Sequence, residues 1–176
     1  NIIEDLLTLS RLEQDSKKPD MIPSDIIETS RRVFAGFEPA AAERNLEMKF
    51  STDHDSCAVL LNIGLYEQAL GNIIDNAVKY CPAGSEIECV MTSTDSICTI
   101  VIQDTGTGIP PQYRERIFER FFRVDKGRSR DTGGTGLGLS ITAHIIRIHG
   151  GTICETGRLD GKNGARFVII MPVSEK

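Results

Sequence analysis

The sequence lacks the features that mark membrane-spanning, secreted or nucleic-acid-binding chains. No apolar run approaches the roughly 18 residues of a membrane span, and no signal peptide is present. The formal net charge of −5 over 176 residues is mildly acidic and gives no reason to expect nucleic acid as a partner. These absences predict a soluble globular chain, long enough for one domain with a sizeable core.

The cysteines lack the spacing of a metal site. There are five, they lie singly, and no C-x-x-C pair occurs: Cys57, Cys81, Cys89, Cys98 and Cys154. An odd number of dispersed cysteines, mostly beside apolar residues, favours buried free thiols in a reducing cytosol over a zinc site or a disulfide framework.

The chain begins without a methionine and already in a helical pattern, so we expect it to continue a longer protein. Ile2, Leu6, Leu9 and Leu12 recur at helical intervals and predict an amphipathic helix over residues 1–15 that pairs with another helix. Residues 16–24 contain two prolines and are interpreted as a linker. The main domain is then predicted to span residues 25–176.

Within residues 25–176, helical patterns alternate with short strands. Ser24 or Asp25 is a candidate cap for a helix that Pro39 interrupts. Further helices are predicted over 64–82 and 137–149, strands over 46–52 and 57–62, and hairpins over 86–104 and 151–173. This order predicts a two-layer α/β sandwich with a mixed, mostly antiparallel sheet packed on helices.

The helix that precedes the first hairpin has two contrasting faces. Its apolar stripe should face the sheet: Leu70, Ile73, Ile74, Ala77 and Val78. The opposite stripe holds Asn72, Asn76, Lys79 and Tyr80. Asparagine oxygens suit Mg²⁺, a lysine neutralises phosphate and a tyrosine covers a base, so this face is either a nucleotide-binding surface or simply a solvated one.

Two glycine-rich loops flank a long polar segment. The first, "DTGTGIP" (104–110), places Asp104 where its carboxylate can accept a hydrogen bond from an adenine amine, or merely cap a turn. The second, "DTGGTGLGLSI" (131–141), runs into a helix and fits neither the P-loop pattern nor a dinucleotide fingerprint. Backbone N–H groups at a helix start bind anions, so we interpret it as a phosphate site of another type.

The segment between the loops, residues 111–132, is basic and is interpreted as a lid over the site. Three phenylalanines are predicted to anchor it: Phe118, Phe121 and Phe122. Its arginines are either solvated charges or phosphate ligands: Arg120, Arg123, Arg128 and Arg130.

Four segments resemble, in order and spacing, the boxes of the sensor histidine kinases. They are "NIIDNAVKY", "DTGTGIP", "IFERFFRVDKGRS" and "GGTGLGLSI", which are similar to the N box, first glycine box, F box and second glycine box. The resemblance covers residues 25–173, and "NIIEDLLTLSRLE" looks like the end of a dimerisation and phosphoacceptor helix. The family belongs to a wider group of ATPases with DNA gyrase, mismatch-repair ATPases and heat-shock chaperones.

The resemblance implies a Bergerat-type fold that binds ATP and Mg²⁺. It implies that Asn76 ligates Mg²⁺, that Asn72 and Lys79 lie at the phosphates, and that Tyr80 and Asp104 contact the adenine. The full set of nucleotide-binding residues that it implies is Asn72, Asn76, Lys79, Tyr80, Asp104, Gly106, Gly108, Ile109, Phe118, Arg123, Gly134, Thr135, Gly136, Leu137, Gly138 and Leu139.

The resemblance further implies transfer of the γ-phosphoryl group to a histidine and then to an aspartate of a response regulator. The acceptor histidine is expected upstream, because His54, His144 and His149 do not lie on a dimerisation helix. The partners implied are that upstream domain, the response regulator and, in the full-length protein, a second copy of the chain. The resemblance also implies that this domain lies in the cytoplasm and that the full-length protein is anchored in the inner or plasma membrane.

Two alternatives stay open at this point. The first is another ATPase of the same superfamily: a gyrase-like or chaperone-like machine, or an anti-sigma serine kinase. The second is a degenerate kinase that signals by docking alone.

Overall fold

The computed structural model describes residues 19–124 and 134–174, together with Leu7 and Ser10. Most of the helix predicted over 1–15, and the predicted lid residues Arg128 and Arg130 with Gly133, lie outside the described residues. The strands are β1 (Ile22–Asp25), β2 (Glu47–Thr52), β3 (Ala58–Leu61), β4 (Glu86–Ser93), β5 (Ile97–Asp104), β6 (Thr152–Glu155) and β7 (Arg166–Pro172). The helices are α1 (Ile26–Gly36), α2 (Glu38–Glu43), α3 (Ile63–Tyr80) and α4 (Gly138–Ile148).

Five of the described strands form one sheet in the order β2-β4-β5-β7-β6. The β2–β4 pair is parallel and the other neighbours are antiparallel. Both predicted hairpins, β4–β5 and β6–β7, are present. The mixed, mostly antiparallel sheet packed on helices confirms the predicted fold class.

A second, two-stranded sheet pairs β1 with β3 in antiparallel register. Strand β1 includes Ile22, Pro23 and Ser24, at the end of the segment interpreted as a linker. The sequence pattern does not predict strand β1, because the partner strand lies more than thirty residues further along the chain, between Ala58 and Leu61. A local pattern does not reveal such a pairing.

Local sequence signals set the helix ends. Asp25 caps α1, since its Oδ1 accepts hydrogen bonds from the amides of Ile27 (3.0 Å) and Glu28 (3.4 Å). The predicted interruption lies at Phe37, with Pro39 in the first turn of α2. Among the helices in the described ranges, none combines the length and the apolar composition that a bilayer crossing needs.

The core lies between one face of the large sheet and helices α1, α3 and α4. Alternate residues of β4, β5 and β7 point into it, among them Ile87, Ile100 and Ile169, each fully buried. The apolar stripe predicted on α3 is buried there as expected. This arrangement leaves the opposite face of α3 beside the ends of β5 and α4, where the candidate site lies.

Candidate nucleotide site

A cavity of about 650 Å³ opens between α3, the glycine loop after β5 and the loop that leads into α4. All the predicted nucleotide-binding residues line it except Phe118 and Leu137. Three stretches far apart in sequence therefore meet around one space large enough for a nucleotide-sized ligand. Nine further residues, which the sequence did not predict to contact a nucleotide, also line it: Asp75, Ala77, Cys81, Thr107, Ile117, Phe122, Val124, Ala165 and Phe167.

Leu137 has its side chain in the core instead, and Phe118 is partly buried and packs against the core. Phe118 packs edge-on against Phe167, with ring centroids 6.4 Å apart. Leu137 is fully buried, and its amide donates to Thr135 Oγ1 (3.1 Å). Burial of an apolar side chain removes more surface from water than a contact at the cavity wall, which explains both positions.

The helix α3 presents its predicted polar stripe to the cavity. The Asn72 amide donates to the carbonyl of Gly138 (3.0 Å) and to Thr142 Oγ1 (3.3 Å), which ties α3 to the start of α4. Lys79 is paired with Asp75, one turn earlier, at 2.5 Å. Tyr80 is 51% exposed at the rim. The stripe therefore lines the cavity, and its role in binding a nucleotide stays a prediction.

Asn76 is half-buried and lines the cavity with its amide unengaged by any hydrogen bond to the described residues. One amide oxygen on an open cavity suits Mg²⁺, which keeps several waters and takes few protein ligands besides substrate phosphates. Elsewhere in the described ranges no group of three or more histidine, cysteine or acidic side chains is placed to hold a metal ion. The residues present thus fit a magnesium ion carried with a nucleotide.

Asp104 ends β5 and is 8% exposed. Its Oδ1 accepts hydrogen bonds from the amides of Gly106 (2.8 Å) and Ala165 (3.2 Å), so the turn-capping role considered for it is present. Asp104 also lines the cavity, so the carboxylate that caps the turn lies within reach of a ligand there. Capping and ligand binding are therefore compatible in this carboxylate.

The thiol of Cys81 lies beside Asp104. An ideal Cβ on Gly106 would be 2.9 Å both from Cys81 Sγ and from Asp104 Oδ1, which places the sulfur and the carboxylate on the same side of the loop. Burial and the neighbouring Asp104 carboxylate raise the pKa of the Cys81 thiol to about 12, so the thiol is neutral at physiological pH.

The loop before α4 is shaped by backbone contacts with the segment predicted to be the lid. Gly136 has φ +73°, and a Cβ on it would come within 2.9 Å of the Phe121 backbone. The Phe121 amide donates to the Gly136 carbonyl at 2.9 Å, and the Arg123 guanidinium donates to the Gly134 carbonyl. Among the described residues, the N-cap residue of α4, Leu137, makes no side-chain capping hydrogen bond, and N–H groups at the start of a helix are good donors to an anion.

The three phenylalanines predicted as anchors differ in position. Phe118 packs on the core, and Phe122 packs against Tyr113 with ring centroids 5.6 Å apart. The prediction is wrong for the side chain of Phe121, which is 61% exposed. Its left-handed backbone, with φ +61°, turns the ring outward while its amide bonds to Gly136.

Neither the histidines nor most of the cysteines reach the cavity. His149 is buried, with Nδ1 donating to the Ile145 carbonyl (2.7 Å) and Nε2 accepting from the Asn62 amide (3.0 Å). His54 is exposed and pairs with Asp53 in the turn before β3. Four cysteines are buried free thiols as predicted, whereas Cys154 is exposed because it lies on the outward face of β6.

Comparison with known proteins supports a single family. The family model described as "Histidine kinase-, DNA gyrase B-, and HSP90-like ATPase" matches residues 62–175. Sensor histidine kinase CusS of Escherichia coli K12 is 32% identical over 97% of this chain, and sensor histidine kinase RppB of Synechocystis is 38% identical over 98%. The chain spans 35% and 37% of their respective lengths.

Among solved structures, full-length ShkA in complex with AMPPNP is similar to this chain. The TM-score is 0.84 at 29% identity, over 99% of this chain and 36% of that one. The mycobacterial sensor histidine kinase MprB superposes with a TM-score of 0.73 at 28% identity, over 89% of this chain and 99% of that one.

Proposed function

Since the chain belongs to the histidine kinase-, DNA gyrase B- and HSP90-like ATPases, we propose that its cavity binds Mg²⁺-ATP. The γ-phosphoryl group of the bound ATP is then transferred to a protein histidine. The observation that carries the proposal is the meeting of Asn76, Asp104 and the loop before α4 around one cavity. These supply, in order, an oxygen ligand for a hard cation, an acceptor for the adenine amine and backbone donors for phosphate.

At the adenine end, Asp104 Oδ2 accepts a hydrogen bond from the exocyclic amine. Oδ1 is already held by the amides of Gly106 and Ala165, so the carboxylate is oriented before the ligand arrives. The ring of Tyr80 and the side chains of Ile109 and Leu139 supply apolar surface around the base. A buried acceptor that is left unpaired by other bases gives the site its preference for adenine.

At the phosphate end, the amides around Gly134, Gly136 and Gly138 hold the phosphate oxygens. Bound magnesium supplies charge neutralisation for the phosphates, and Asn76 is the residue that would hold it. Asn72 keeps the loop and α3 together through Gly138, so that the phosphate donors and the metal ligand stay in fixed relation. Phosphoryl transfer depends mainly on such positioning and electrostatics.

The acceptor histidine comes from a separate helical domain of the full-length protein. None of the three histidines lines the cavity in the part of the chain that the structure describes. We therefore assign the acceptor to a dimerisation domain preceding this chain, with relay to an aspartate of a response regulator. In this proposal the full-length protein is a homodimeric sensor anchored in the plasma membrane, with this domain in the cytoplasm.

Phosphotransfer tests the proposal. The chain is incubated with ATP labelled in its γ-phosphate, alone and joined to the segment that precedes it in its gene. We expect label only in the longer protein, as an acid-labile and base-stable phosphohistidine. Label on serine, or ATP-driven dimerisation with steady hydrolysis by the isolated chain, would indicate another ATPase of the superfamily. A complete lack of nucleotide binding would indicate a docking module.

A further inference from the structure

The loop between β6 and β7, residues 156–165, holds Asp104 through several hydrogen bonds. The Asp104 amide donates to the Ala165 carbonyl (3.0 Å), and the Ala165 amide donates to Asp104 Oδ1 (3.2 Å). The Arg158 guanidinium donates from Nη1 to the Asp104 carbonyl (3.0 Å). The amide, the carbonyl and one carboxylate oxygen of Asp104 are thus all engaged by this single loop.

Arg158 is itself fixed. Its side chain is only 5% exposed. The Asp160 carboxylate accepts two hydrogen bonds from the guanidinium, one from Nε (3.0 Å) and one from Nη2 (2.5 Å). Asp160 also accepts from the Lys162 amide (3.2 Å), which closes the loop on itself. In a bidentate ion pair of this kind, the two hydrogen bonds fix the orientation of the guanidinium, while the carboxylate balances its charge.

The fit between the loop and Asp104 is close. Gly164 has φ +139°, and a Cβ there would come within 1.8 Å of the Asp104 carbonyl oxygen and within 2.9 Å of Arg158 Cδ. Only glycine fits at position 164. The close approach of Gly164 shields the Asp104 carbonyl from water, and Arg158 supplies the hydrogen-bond donor that this carbonyl then needs.

We propose that Arg158 is a positioning residue for adenine recognition: by holding the Asp104 carbonyl, it fixes the direction in which the Asp104 carboxylate faces the cavity. Arg158 does not line the cavity, so it acts through Asp104 and not on the nucleotide directly. This inference rests on the proposed function, because it presumes that Asp104 binds the adenine amine.

The test measures how much the exocyclic amine contributes to binding. ATP and purine riboside triphosphate, which lacks that amine, are titrated calorimetrically with Mg²⁺ into the wild type and Arg158→Met. We expect ATP to bind about tenfold more weakly to Arg158→Met, equivalent to about 1.4 kcal/mol, while purine riboside triphosphate changes less than about twofold. Arg158→Lys, which keeps a donor for the carbonyl, should recover part of the difference.

The matched control is Arg32→Met. Arg32 forms an exposed ion pair with Glu67 at 2.6 Å, away from the β6–β7 loop, so its loss should leave both affinities unchanged. If Arg158→Met weakens both ligands equally, or neither, Arg158 has only a structural role and the inference is overturned.

A second variant covers the case in which Arg158→Met does not fold. Asp160→Asn leaves Arg158 in place but weakens the bidentate ion pair that orients it. We expect a loss of a few-fold in the ATP affinity relative to purine riboside triphosphate, and an unchanged ratio overturns the inference. If the wild type binds neither ligand, the proposed function itself fails and the positioning role falls with it, which is why the wild type is titrated first.

Discussion

Replacement of Asp104 by asparagine separates ligand recognition from loop structure. In the folded chain Asp104 Oδ1 accepts hydrogen bonds from the amides of Gly106 and Ala165. An asparagine oxygen can accept both of them, so Asp104→Asn should preserve the loop. The amide nitrogen then replaces Oδ2 and presents a donor, where the adenine amine needs an acceptor.

The size of the effect follows from the type of hydrogen bond that is lost. A hydrogen bond to a charged acceptor contributes about 1.5–3 kcal/mol, which corresponds to an ATP affinity about 10 to 150 times weaker. Purine riboside triphosphate has no exocyclic amine, so its affinity should change little. The free energy of unfolding without nucleotide should also stay close to the wild-type value, because the two backbone hydrogen bonds are kept.

Calorimetric titration and urea denaturation together provide the assay, with Asp104→Ala as the companion variant. Alanine removes the acceptor of two buried amides, so we expect a loss of stability of about 1–3 kcal/mol in addition to the loss of binding. If Asp104→Asn binds ATP as tightly as the wild type, or loses both nucleotides to the same extent, Asp104 does not recognise the adenine amine.

Three further predictions concern the proposed metal ligand Asn76, the ion pair of Glu155 with Arg114, and the Cys81 thiol at the cavity. Asn76→Ala should bind ATP in Mg²⁺ no more tightly than the wild type does in EDTA. In a thermal shift assay without nucleotide, its melting temperature should stay within about 2 °C of the wild-type value. A large fall in that melting temperature would mean that Asn76 has a structural role. Glu155→Gln should lower the free energy of unfolding in urea by about 3 kcal/mol, the low end for a buried pair because the Arg114 side chain is 32% exposed. The Glu155 side chain is fully buried and faces Arg114 Nε at 2.9 Å. Adding Arg114→Met should recover part of the loss, and an unaltered stability would contradict this. At about pH 8, iodoacetamide should modify the exposed Cys154 well before Cys81. The raised pKa of the Cys81 thiol leaves almost no thiolate until the pH approaches 12. Prompt labelling of Cys81 in peptide mass spectra would show that the thiol is neither buried nor neutral.

Signals within a few residues of one another predicted much of the fold. The cap at Asp25, the break beside Pro39, the two faces of α3 and both hairpins are local patterns, and the structure has them. The fold class and the resemblance to sensor histidine kinases are confirmed by the structure and by the match over residues 62–175. The roles given to individual site residues stay predictions.

What could not be predicted depends on contacts between distant segments. The pairing of β1 with β3, and the approach of the β6–β7 loop to Asp104, join residues that no short pattern relates. Arg158 has the appearance of an ordinary charged loop residue in the sequence, yet its side chain is 5% exposed. The exposed ring of Phe121 depends on a left-handed backbone, which composition does not indicate for a phenylalanine.

The most direct test of the nucleotide site is calorimetric titration of the wild-type chain with AMPPNP, once in Mg²⁺ and once in EDTA. We predict saturable binding at one site per chain in Mg²⁺ and much weaker binding in EDTA, because the cavity brings Asn76 together with the glycine-rich loop before α4. An absence of binding in both conditions would contradict the proposed function and leave the cavity as a feature of the scaffold alone.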